Sequence, residues 1–167
     1  WGQYNNLYEL FDNLLDNKKY HKTVNALIEL SVRLNEFSDI GIQQVVSSKD
    51  IFNFYKVRLS LIRQQVLIVV FLDADKNILS DRLITFGSLT QANIHPREVF
   101  APAIKGRSAK IIVVRNTFSN SKNIGESDLK ASRRLYEVGE LVGIELIDYI
   151  IIGKDFYSSL KEIKGYV

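Results

Sequence analysis

Three short, mainly apolar runs, Val66 to Leu72, Ile111 to Val114 and Ile147 to Ile152, are too short to cross a membrane and have the length of buried strands. Between them the spacing changes to helical. Gln65 to Asp73 reads as a buried strand, Ala74-Asp75-Lys76-Asn77 as a turn, and Ile78 to Phe86 as the returning strand of a hairpin. A helix is expected after His95, with Pro96 in its first turn, where a missing amide proton costs least, and with its end at Lys105 before Gly106. Ala109 to Asn116 is then a central strand, Thr117 to Gly125 a polar loop, and Glu126 to Val142 an amphipathic helix stopped by Gly143. Ile144 to Gly153 closes the sheet. Hairpin, helix, strand, helix, strand is the order of an α/β or α+β sandwich, a mixed sheet covered by helices.

Upstream, Leu7, Leu10, Phe11, Leu14 and Leu15, then Val24, Leu27, Ile28, Leu30, Val32 and Leu34, recur at helical spacing. They predict two amphipathic helices, over about Tyr4 to Leu15 and Lys22 to Glu36. Phe37 to Val46 reads as a linker, and Ser47 or Ser48 as the cap of a helix running through Asp50, Phe54, Val57 and Leu61. The expected division is therefore a helical segment over residues 1–46 and one domain over residues 47–167. A chain of 167 residues suits one main core. Its net charge of +3 comes from scattered cations, which permits contact with nucleic acid without arguing for it. The absence of cysteine excludes disulfides and thiolate metal ligands and fits a reducing compartment, so the cytoplasm is the expected location. No signal-peptide pattern is visible, and a start at Trp1 leaves room for a missing upstream segment.

Three stretches carry a resemblance. Gly87-Ser88-Leu89-Thr90-Gln91-Ala92-Asn93-Ile94-His95-Pro96-Arg97-Glu98-Val99-Phe100 and Ile111-Ile112-Val113-Val114-Arg115-Asn116-Thr117-Phe118-Ser119-Asn120 are similar to segments of the RadC-type branch of the JAMM (MPN/JAB) family. Gly143 to Gly153 is similar to that family's closing strand. The resemblance implies a JAMM/MPN-like, cytidine-deaminase-like fold. It also implies a zinc site, built in the family from a strand ending in His-Asn-His-Pro-Ser-Gly, an Asp eleven residues after the second His, and a Glu from an earlier strand. Here Arg115 stands at the first His, Thr117 at the second, Phe118 at the Pro and Asn120 at the Gly, while Ser119 is retained. Counting eleven from Thr117 reaches Asp128. The family's Glu lies eight residues before the Asp of a Leu-Asp pair, and counting back from Leu72-Asp73 reaches Gln65, with Gln64 beside it. Three of the four metal-site positions therefore differ, and only Asp128 can ligate directly.

Zinc hydrolysis needs about three N or O ligands and an open position for water. A Thr hydroxyl and a Gln amide are weak neutral donors, and an Arg cannot lose its proton to coordinate. Gln65, Arg115, Thr117, Ser119 and Asp128 are thus read as a degenerate site with no catalytic residue and no metal, although zinc is the cofactor of the resembled family. Arg115 could pair with Asp128 and supply the charge once given by the metal, or it could point to solvent at the strand end. Ser119, lacking a base, reads as a turn residue, and Tyr149, in place of a family His, as a core or pocket-filling one. His95 is expected to serve the helix start and His21 to lie on the surface. Arg97 and Glu98 form either a local pair or two solvated charges.

The resemblance also implies a helix-hairpin-helix in the N-terminal segment, but Asp16-Asn17-Lys18-Lys19-Tyr20 lacks the glycines with which such a turn approaches a phosphate. Lys122, Lys130, Arg133 and Arg134 surround Phe118 and could hold a single nucleic-acid strand, though a solvated helix face is the plainer reading. The expected function is a catalytically inactive RadC-like pseudoenzyme that acts as an interaction module, with a protein partner or a second copy of the chain. A zinc metallopeptidase or isopeptidase, and a DNA-repair accessory protein that binds nucleic acid, are the alternatives.

Overall fold

The computed structural model describes residues 44–60, 62, 64–86 and 94–163, so the helices expected over Tyr4 to Leu15 and Lys22 to Glu36 lie outside the described residues. Helix α1 spans Ser48–Ser60, β1 Val66–Leu72, β2 Ile78–Phe86, α2 Pro96–Lys105, β3 Lys110–Asn116, α3 Glu126–Val142, β4 Glu145–Ile152 and β5 Tyr157–Ser159. The strands form one mixed sheet in the order β2-β1-β3-β4-β5, in which β3 and β4 run parallel and the other pairs antiparallel. Among the described residues, five strands and three helices make the α+β arrangement that the sequence pattern predicts.

Every residue of β1 is buried, which is why that strand reads as an unbroken apolar run and not as an alternation. One face carries Leu67, Val69 and Phe71 of β1, Ile111 and Val113 of β3, and Tyr149 and Ile151 of β4, all packed with Val99, Phe100 and Ala103 of α2 and Leu135 of α3. α1 packs instead on β4 and β5. Its start is fixed by Asp50, whose carboxylate accepts the backbone N–H groups of Ser47 and Val46 at 2.8 and 3.2 Å. Ser48 does not cap: its hydroxyl donates at 2.9 Å to Asp148, 100 residues later in the sequence.

Farther along α1, Tyr55 donates to Asp81 of β2 at 2.7 Å and Arg58 pairs with the same carboxylate, so one buried acid ties this helix to the edge of the sheet. The segment read as a linker reaches this unit before α1 begins, since Gln44 bridges to Asn77 and the Val45 N–H donates to the Lys76 carbonyl. The β1–β2 turn is organised by Asp73, which accepts from the backbone N–H groups of Asp75 and Asn77. β5 is the element the sequence pattern does not reveal, and Asp148 holds it by accepting from the Ser159 hydroxyl at 2.7 Å.

Candidate functional site

The parallel pair β3 and β4 and the first turn of α3 bring three polar side chains together on the α2/α3 face of the sheet. Arg115 is the sixth residue of β3 and falls on the same face as Ile111 and Val113. Asp128 is the third residue of α3, where unpaired backbone N–H groups and the helix dipole favour an anion. Tyr149 lies on β4 opposite Val113. The Arg115 Nη2 donates to Asp128 Oδ2 at 2.7 Å, and the Tyr149 hydroxyl donates to Asp128 Oδ1 at 3.0 Å.

Asp128 is 6% exposed and Tyr149 1% exposed, so this is a charge-assisted cluster shielded from water. Burial, with the Asp128 charge next, pushes the Tyr149 hydroxyl well above its ordinary range, which keeps it a neutral donor. The Arg115 Nη1 donates to the Asn116 carbonyl at 3.3 Å, while its buried Nε has no hydrogen-bond partner among the described residues. Of the two readings the sequence leaves open for Arg115, the ion pair is the one the fold adopts.

Asn116 positions the surrounding strands, a role the sequence reading does not assign. Its side-chain oxygen accepts the Val66 N–H at 2.7 Å and its amide donates to the Gln64 carbonyl at 2.8 Å, so β1 begins at a fixed point beside the end of β3. Gln65, half-buried, sits between those two contacts, next to the end of the strand that carries Arg115. Thr117 is tied by its N–H to the Ile152 carbonyl at 2.8 Å, and its hydroxyl accepts the Ser119 N–H at 3.2 Å. The Ser119 hydroxyl in turn accepts the Ser121 N–H, and the Ser121 hydroxyl that of Asn123. Thr117 and Ser119 are thus consecutive members of a chain of hydroxyl-stabilised turns, in keeping with the turn role expected of Ser119.

Tyr149 fills the core as expected, but it also does what its residue type alone does not announce, in satisfying half of Asp128. The signal was its place at a position where the resembled family carries a polar ring. His95 occupies the N-cap of α2 without a side-chain cap bond, and Arg97 pairs with Glu98 at 3.2 Å, both exposed. Of the cations near the loop, Lys130 pairs with Glu126 at 2.8 Å along α3, and Phe118 is exposed.

A zinc ion does not fit this donor set. Asp128 already has both oxygens engaged, Gln65 and Thr117 offer neutral oxygens, and the permanent cation Arg115 lies against the one carboxylate a metal would need. Among the described residues, no three His, Asp or Glu side chains converge as a metal would require.

The sequence profile of the RadC-like JAB domain matches residues 45–166 of the chain. A UPF0758 protein of Clostridium botulinum is 36% identical over 143 residues, covering 85% of this chain and 62% of that protein. A UPF0758 protein of Methanosarcina acetivorans is 34% identical over 142 residues, with coverage of 85% and 62%. One from Clostridioides difficile is 37% identical over 139 residues, with coverage of 83% and 59%. The chain spans about three fifths of the length of these relatives.

Proposed function

The chain belongs to the RadC-like JAB family, and from that premise we propose that it is a non-catalytic member, a domain that binds partners through the family fold and keeps its former metal pocket closed with an internal ion pair. The observation that carries this reading is the engagement of both Asp128 oxygens, one by Arg115 and one by Tyr149. A metal site keeps its carboxylate available to a cation and holds an open position for water. In this pocket the cation is covalently part of the chain, cannot be exchanged, and has no coordination position to offer a substrate. Without an activated water the Ser119 hydroxyl has no nucleophile to assist, and its oxygen serves the loop instead. The domain over residues 47–167 and a helical segment over residues 1–46 complete the proposed organisation. No helix among the described residues is long and apolar enough to cross a membrane, and the cysteine-free composition is compatible with the cytoplasmic site of action proposed here.

Elemental analysis and thermal melts of the purified chain, with and without a chelator, test the reading. Zinc far below one per chain and an unchanged melting temperature are expected. One zinc per chain, with a clear fall in melting temperature on chelation, would establish a metal centre and favour the zinc-peptidase alternative.

A further inference from the structure

Behind the Arg115–Asp128–Tyr149 cluster, α3 and the corner between β4 and β5 enclose a groove of about 340 Å³. Leu146, Leu160 and the ring of Tyr136 form its apolar walls, and Tyr149 closes it on the cluster side. The groove lies where β4 bulges, since Ile111 pairs with Leu146 but Ile112 with Asp148, leaving Ile147 as the extra residue. Arg133 on α3 and Lys161 after β5 stand on opposite walls. Neither has an ion-pair partner among the described residues, although Lys130 one turn before is paired with Glu126. Glu137 is the exposed acid on the rim, so the two cations leave the opening positive. Asp148 keeps its charge but is buried, with its oxygens accepting from the Ser48 and Ser159 hydroxyls and from the Tyr149 and Lys161 backbone N–H groups, so the charges exposed at the opening are the two cations and Glu137.

We infer that this groove is a docking site for a peptide segment of a protein partner, one that presents a large apolar side chain flanked by carboxylates. The inference rests on the interaction-module reading and names the chemistry of the partner. The volume is at the small end for a drug-sized ligand and suits one large side chain, with the peptide backbone left at the rim. Tyr136, 37% exposed, and Arg133 are of the residue types that dominate binding at interface centres. The exposed Arg133 and Lys161 supply the complementary charge that sets orientation and encounter rate.

The test uses the full chain and three fluorescein-labelled heptapeptides with Leu, Phe or Trp at the centre and two acidic residues on each side. Controls replace the acids by their amides or the central residue by Ser. Saturable binding is expected for at least one acidic peptide, with a dissociation constant on the order of 100 µM or tighter. Affinity should fall at least tenfold for either control peptide and for the paired change Arg133→Glu with Lys161→Glu, both at exposed positions. The same charge change made elsewhere, Lys105→Glu with Arg107→Glu, should leave it unaltered. No saturable binding, or equal loss with both charge pairs, overturns the inference. Binding of a short aromatic monocarboxylate or a single-stranded oligonucleotide through Arg133 and Lys161, with no peptide bound, overturns it in favour of that ligand class. Zinc content measured on the same preparation separates the two readings: stoichiometric zinc with intact peptide binding contradicts only the metal-free pocket, and no zinc with no peptide binding contradicts only the groove.

Discussion

Arg115 shows how one cationic side chain can keep a buried carboxylate satisfied inside a folded pocket. An isolated buried carboxylate is expensive, and Asp128 is satisfied only because a guanidinium and a phenol share it. Arg115→Met should therefore destabilise the domain by about 3–5 kcal/mol, the range for breaking a buried pair from one side. Arg115→Lys should recover only part of this, because an ammonium lacks the planar fork. Tyr149→Phe removes one hydrogen bond to a charged group and should cost about 1.5–3 kcal/mol in urea unfolding. A smaller loss for Arg115→Met than for Tyr149→Phe would mean that the ion pair is not what holds the pocket. The tyrosines also predict an alkaline limit. Burial, with a neighbouring carboxylate, raises Tyr149 above its ordinary 10.0, and Tyr55 is raised in the same way beside Asp81. Below that pH both states keep the protons and stability is unaffected. Above it the unfolded chain releases protons that the folded chain retains, so stability falls with rising pH, by roughly tenfold in the unfolding equilibrium per pH unit and tyrosine. Tyr149→Phe should remove one such proton from the slope, as measured by unfolding between pH 9 and about pH 11.

At the level of elements, α3 supplies Asp128 to the cluster and its packing depends on two glycines. A Cβ at Gly139 would lie 2.5 Å from the Ile144 carbonyl oxygen and 3.5 Å from the Phe100 ring, so the turn into β4 has no room for a side chain there. Gly143, with φ of 72°, ends the helix in the left-handed conformation. Gly139→Ala should lower stability by about 1–3 kcal/mol despite better helix propensity, through overpacking, and Gly143→Ala by about 1–2 kcal/mol, through backbone strain alone. A stabilising Gly139→Ala in thermal melts would contradict the close approach. Elements bounded by such punctuation were legible in the sequence: α2 between Pro96 and Lys105 and α3 between Glu126 and Val142 have the predicted ends. β5 was not, because Tyr157-Ser158-Ser159 has no hydrophobic period and its place is set by contacts with Asp148. The same limit applies to the site. The residue count to Asp128 was visible, but whether Arg115 reaches it depends on the angle between a strand end and a helix start, which no local pattern encodes. The roles of Asn116 and the Tyr149 hydroxyl were hidden for the same reason.

For the whole molecule, the positive balance is only +3 and several cations are held in ion pairs, Lys56 with Asp155, Lys110 with Glu145, Lys130 with Glu126 and Arg97 with Glu98. A nucleic-acid complex gains its affinity by releasing counterions from phosphates, which needs free cations in a track. The chain should accordingly show no submicromolar complex with single-stranded or duplex DNA at physiological salt; a tight complex that weakens steeply with added salt would restore the nucleic-acid reading. Whether the Arg115 guanidinium occupies a pocket that could otherwise hold a metal ion is tested most directly by calorimetric zinc titration of two chains side by side. The native chain should bind no zinc in the pocket. The triple variant Gln65→Glu, Arg115→His and Thr117→His, if it melts sharply, should bind one zinc that is lost on further Asp128→Ala. A folded triple variant that takes up no zinc, or a native chain that binds one equivalent through Asp128, would show that Arg115 does not stand in for a metal ion.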